Sequence, residues 1–115
     1  MSQTIEQAAA KILARTEKII RATLLGASSR IIEDTPVDTG LLRSNWQATI
    51  DRGASGEVSN RGEAAAKSEA ASKVLAVKLG NVFYLTNNVF YAGIQEVQRG
   101  MVRREMSRLA SRLGS

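Results

Sequence analysis

The twelve residues Thr35-Pro36-Val37-Asp38-Thr39-Gly40-Leu41-Leu42-Arg43-Ser44-Asn45-Trp46 contain the only proline and the only tryptophan of the chain. They also mark a change of hydrophobic period, from helical before them to alternating after them. Pro36 disfavours helical geometry at Thr35, so a preceding helix is expected to stop there. Its fixed φ suits the second position of a tight turn. Asp38 or Thr39 is placed to cap a new helix by accepting backbone N–H bonds two or three residues on. Gly40 permits close backbone approach or a bend in the first turn. Leu41, Leu42 and Trp46 then cluster on one side of a short second helix, 39–45. The stretch therefore ends one helix, starts another and delivers a large aromatic into a core.

Upstream, residues 4–34 read as one long helix. Ile5, Ala8, Ala9, Ile12, Leu13, Ile19, Ile20, Leu24, Ala27, Ile31 and Ile32 fall on a 3.6-residue stripe. Thr4-Ile5-Glu6-Gln7 fits a capping box, and Gly26 is a point for a bend or close packing. Core packing is the expected role. A helix of roughly 45 Å nevertheless exceeds the width of a small domain, and could continue into a partner subunit.

Downstream, Trp46, Ala48 and Ile50 alternate with Gln47, Thr49 and Asp51, the pattern of a half-buried strand over 45–51. Arg52 to Gly56 is a turn, and 57–60 reads as a short returning strand. Residues 63–76 are alanine-rich and favour helix. Glu63/Lys67 and Glu69/Lys73 are i, i+4 pairs in the favourable orientation. Small side chains there suit either close packing or an exposed arm. Residues 82–86 read as a strand apolar on both faces and so central, within a strand region of 81–87. A final helix spans 101–113, with Val102, Met106, Leu109 and Leu113 on its apolar face and Arg104, Arg108 and Arg112 opposite. Together these elements predict one α+β domain over 1–115: a long N-terminal helix and a C-terminal helix packed on a small, mostly antiparallel sheet. Trp46 is expected to be buried against the long helix.

The chain has no cysteine and no histidine, which excludes disulfides, thiolate chemistry and the commonest general base. Ser44 and Ser59 therefore have no histidine to activate them. Asp34 and Asp38, either side of Pro36, read as helix-end and cap carboxylates rather than a catalytic or metal pair. No enzyme activity, metal or cofactor is expected. No apolar run is long enough to span a bilayer, so no membrane partner is expected. The N-terminus lacks the regions of a signal peptide, which predicts a product that stays in the cytoplasm of the cell that makes it.

The net charge is +5 and lies in the second half: residues 61–115 carry nine Lys/Arg against four glutamates. Within 99–112 there are five arginines and one glutamate, more lopsided than an ordinary exposed face. Arg103, Arg104, Arg108 and Arg112 are candidates for contact with DNA phosphates or an acidic partner, or form a solvated face.

Thr-Pro-Val-Asp-Thr-Gly-Leu-Leu-Arg-Ser-Asn-Trp resembles a hallmark of the tail-completion, minor tail and neck proteins of long-tailed bacteriophages. That family pairs this motif with a later segment, which here reads Lys78-Leu79-Gly80-Asn81-Val82-Phe83-Tyr84-Leu85-Thr86-Asn87-Asn88-Val89-Phe90-Tyr91-Ala92, then Glu96, then Gly100-Met101-Val102-Arg103. Phe90 stands where the family often has proline, and the stretch from Glu96 to Gly100 is short. The residues carrying the resemblance are Pro36, Asp38, Thr39, Gly40, Leu42, Arg43, Trp46, Asn87, Asn88 and Tyr91. The resemblance implies a virion structural protein made in the host cytoplasm. It would sit at the head–tail junction or upper tail end, forming a ring with itself, commonly a hexamer. Implied partners are neighbouring neck and tail proteins and DNA passing through the lumen. The alternative is a basic nucleic-acid-binding domain that uses the C-terminal helix.

Overall fold

The structure, a computed structural model, describes residues 4–36, 40–89, 92, 93, 96 and 100–114. Its elements are α1 (Ile5–Asp34), α2 (Leu41–Ser44), β1 (Trp46–Ile50), α3 (Glu63–Ala76), β2 (Phe83–Asn87) and α4 (Met101–Gly114). The two strands pair antiparallel, with Trp46 opposite Asn87 and Ile50 opposite Phe83. The architecture is the expected α+β, with long helices at both ends of the chain.

α1 begins with the capping box read from the sequence: Thr4 Oγ1 accepts the Gln7 N–H and Gln7 Oε1 accepts the Thr4 N–H. It runs unbroken to Thr35, whose extended backbone ends it immediately before Pro36. At about 45 Å, α1 can lie only along the longest dimension of a molecule measuring 60 × 30 × 21 Å. Only its C-terminal half is core. Ala27, Ser28, Ile31 and Ile32 are buried, whereas from Ile5 to Arg15 only Ala8 is partly covered. The expectation of core packing along the whole helix is corrected for the first half, because the other elements pack only along its C-terminal part.

The core joins Ile31 and Ile32 of α1, Trp46 and Ala48 of β1, Ala66 and Ala70 of α3, and Met101 of α4. α3 packs against both α1 and β1. Its buried row is Ala66, Ala70 and Val74, so the small side chains serve close packing and not an exposed arm. Gly26 leaves α1 unbroken. Its missing side chain makes room for Arg30, whose guanidinium lies 3.1 Å from where a Cβ would stand.

Four further expectations are corrected. Residues 57–60 form no strand; Asn45 instead holds Val58 by its main chain, accepting its N–H at 2.8 Å and donating to its carbonyl at 3.0 Å. β2 is not central: among the described residues the sheet has two strands, and Tyr84 faces solvent. α2 begins at Leu41 behind Gly40, whose φ of +77° is left-handed. Gly40, and not Asp38 or Thr39, is thus the N-cap, and those two residues lie outside the described ones. Finally, the buried row of α4 contains Met101 and Glu105, while Met106 is 48% exposed. Of the expected apolar face, Val102 packs against the core and Leu109 is partly covered, Met106 is exposed, and the Leu113 side chain lies outside the described residues; the buried row is turned towards Glu105, which meets Arg30.

Trp46 is buried, and its indole N–H donates to Thr35 Oγ1 at 2.8 Å. Trp46→Ala is expected to cost about 3–5 kcal/mol, as for other large core truncations. Urea unfolding followed by circular dichroism checks this; an unchanged midpoint would make Trp46 dispensable to the core.

Candidate functional site

The motif residues meet at the C-terminal end of α1. A helix leaves its last carbonyls without intrahelical donors. Arg43, carried back by α2, supplies them: Nε and Nη2 donate to the Thr35 carbonyl at 2.9 and 2.7 Å, and Nη2 also donates to the Glu33 carbonyl at 2.8 Å. A cation there also opposes the negative end of the helix dipole. Its Nη1 is paired with the Glu63 carboxylate at the start of α3. Thr35 Oγ1 donates to the Ile31 carbonyl at 2.7 Å while accepting from Trp46. Arg43, Thr35 and Trp46 thus bind α1, α2, β1 and α3 at one point.

The second resembling segment comes to the same place. Asn87 sits opposite Trp46 in the ladder, and its Nδ2 donates to the Leu42 carbonyl at 2.7 Å. Asn88 Nδ2 donates to the Ala54 and Gly56 carbonyls and fixes the loop after β1. Leu42 is buried and Pro36 is partly covered. Tyr91 lies outside the described residues.

The candidate contact arginines fall differently from the expectation. Arg104 and Arg108 are more than half exposed, but each has an acidic neighbour: Asp34 at 3.6 Å from Arg104, and Glu105 at 3.9 Å from Arg108. They flank the buried row of α4 and do not lie opposite it. Arg103 is exposed, and the side chain of Arg112 lies outside the described residues. Asp34 is accounted for by Arg104.

Several determinants carry no motif. Glu105, 3% exposed, meets Arg30 at 2.6 Å and locks α4 onto α1; its hydrogen bond raises the guanidinium pKa above the ordinary value. The signal available was a lone glutamate among five arginines. Glu96, by contrast, belongs to the second resembling segment, and it accepts the N–H groups of Val102 and Arg103 at the first turn of α4. Arg61 and Glu69 form an ion pair at 2.8 Å along the outer edge of β1. Arg61 donates to the Trp46 carbonyl, and Glu69 accepts the Ala48 N–H. The predicted Glu63/Lys67 pair forms at 3.3 Å. Glu69 turns to the sheet, so its contact is Arg61 and not Lys73.

Among the described residues no group of three or more Asp or Glu side chains could hold a metal ion. None of their helices is long and apolar enough to cross a membrane. No protein-family model, curated protein or solved structure matches the chain.

Two outcomes are expected from these contacts. Arg43→Met keeps the aliphatic stem but removes the donors to Thr35 and Glu33, and is expected to cost about 2 kcal/mol in urea unfolding. The Arg61 hydrogen bond, aided by the Ala48 N–H, holds the Glu69 carboxyl below its ordinary 4.5. The stability it confers is complete above that ordinary value and is lost as pH falls through the lower, folded-state value. Unfolding midpoints measured down to about pH 3 are expected to fall less steeply for Glu69→Gln than for the parent.

Proposed function

We propose that this protein is a virion structural component of a long-tailed phage, a tail-completion or neck subunit that assembles as a ring, commonly of six. The observation that carries the proposal is the convergence of the two resembling segments. Residues 35–46 and 78–92 are far apart in sequence, yet Trp46 pairs with Asn87 and Leu42 accepts from its side chain. Two matches that meet in one structural unit support a shared architecture more strongly than either alone. The elongated shape and the half-exposed α1 suit a subunit that reaches a neighbour. In this role the motif residues maintain the fold, and exposed surfaces carry the contacts.

The reading as a free nucleic-acid-binding domain is weakened by the acidic neighbours of Arg104 and Arg108, which offset their charge within the subunit. A DNA binder would lose affinity steeply with salt, whereas the ring subunit is expected to bind free DNA weakly at any salt.

Two experiments test the proposal. Electron microscopy of purified particles carrying a labelled subunit is expected to place it at the head–tail junction or the upper tail end; particles without it would overturn the proposal. Replacing Arg104, Arg108 and Arg112 with glutamine is expected to leave the isolated subunit folded, because Arg104 and Arg108 are exposed and such ion pairs contribute little. Complementation of a phage lacking this gene by the triple variant is expected to yield fewer infectious particles; full infectivity with normal tails would return the row to solvent.

A further inference from the structure

The two edges of the sheet are finished differently. The Asp51 N–H donates to the Val82 carbonyl at 2.7 Å, next to the Ile50–Phe83 pair. Bonded and non-bonded pairs alternate along an antiparallel ladder, so Thr49–Tyr84 and Gln47–Thr86 are the bonded ones. Trp46 and Ala48 of β1, and Phe83 and Leu85 of β2, therefore turn their main-chain N–H and C=O groups outward. On β1 these groups are met by Arg61 and Glu69. On β2 the outward groups of Phe83 and Leu85 have no partner among the described residues. The strand Phe83-Tyr84-Leu85-Thr86-Asn87 is regular in register and has no charge, proline or bulge. Those are the features by which an exposed edge avoids pairing.

The inner face beside that edge is uncovered too. α4 packs on α1, and between these helices and β2 lies a groove of about 190 Å³, lined by Leu24, Phe83, Leu85, Val102 and Met106. A second apolar groove, of about 350 Å³, shares Leu24 and Phe83 with the first and continues it to Ile20, Leu79 and Val82. A strand added to β2 sets alternate side chains on the face that carries Phe83 and Leu85, and so against these grooves. Edge and grooves thus fit one occupant, an extended segment apolar at alternate positions. Charge decides its source. No acidic side chain lines either groove. Lys78 lines the second groove and Arg103 follows Val102 on α4; both are exposed, and neither has an acidic partner among the described residues. A second copy pairing β2 with β2 would bring its own Lys78 and Arg103 to the same seam, cation against cation. We propose that the outer edge of β2 takes up, as a third strand, an extended segment of another protein that is apolar at alternate positions and acidic at its ends. The contact does not require the virion role.

The probe is a short synthetic peptide with valine at alternate positions, threonine between them and aspartate at both ends. The readout is amide exchange of the full chain followed by NMR. The Leu85 amide is expected to exchange as an unbonded amide in the free protein and to be protected when the peptide is added. Methylating the amide nitrogens of the peptide is expected to abolish that protection. The same peptide with lysine at both ends is expected to bind roughly tenfold more weakly. Lys78→Glu combined with Arg103→Glu is expected to reverse this order with unchanged circular dichroism. No protection of Leu85 at millimolar peptide, equal binding of the acidic and basic peptides, or unimpaired binding of the methylated peptide would overturn the proposal. Protection of Leu85 without peptide would overturn it as well: growing with protein concentration, it would make a second copy the occupant, and independent of concentration, it would mean that the chain covers its own edge.

Discussion

The structure depends on how one helix end is satisfied. α1 stops at Thr35 because Pro36 follows, and stopping leaves carbonyls that must find donors. No water is needed at Thr35: the Arg43 guanidinium reaches its carbonyl twice and that of Glu33 once. The same threonine uses its hydroxyl to hold Trp46. Because Arg43 and Trp46 lie three residues apart across the end of α2, capping α1 also sets where β1 begins. Helix termination and sheet placement are therefore one event. Trp46 can be buried without an orphaned indole N–H only if α1 ends where it does.

A two-stranded sheet is marginal without a packed face and protected edges. Here α3 meets both requirements. Its Ala66 and Ala70 row lets its backbone come close to β1 and α1, while the Arg61–Glu69 pair offers β1 a donor and an acceptor along its open edge. That pair does for β1 what a third strand would otherwise do. The alanine content of α3 is thus a packing requirement as well as a helix preference: a larger residue at 66 or 70 would push the helix away and lengthen the Glu69 contact with the Ala48 N–H.

Much of this was legible in the sequence, and the reasons differ by element. α1, its capping box and its stop at Thr35 depend on local chemistry that Thr4, Gln7 and Pro36 carry themselves. The burial of Trp46 follows from alternation in β1. What was not legible depended on partners distant in sequence. Nothing local to Val58 indicates that Asn45 satisfies its main chain in place of a strand. The centrality of β2 was inferred from apolar residues on both faces, but Tyr84 is apolar enough to read as core while lying exposed. On α4, periodicity alone placed Met106 inside and gave no place to Glu105. The ion pair with Arg30 reverses this, and its partner lies 75 residues away.

The positive field of the second half of the chain also has a structural origin. Its four glutamates all turn to contacts within the subunit: Glu63 to Arg43 and Lys67, Glu69 to Arg61, Glu105 to Arg30, and Glu96 to the first turn of α4. Two of those cations, Arg30 and Arg43, come from the first half. Acidic groups in the second half are therefore spent on holding the domain together, partly against cations from elsewhere, and Arg103 is left at the surface beside Arg104 and Arg108. The asymmetry of +5 therefore reflects both the run of arginines in 99–112 and the turning of the acids to contacts within the subunit.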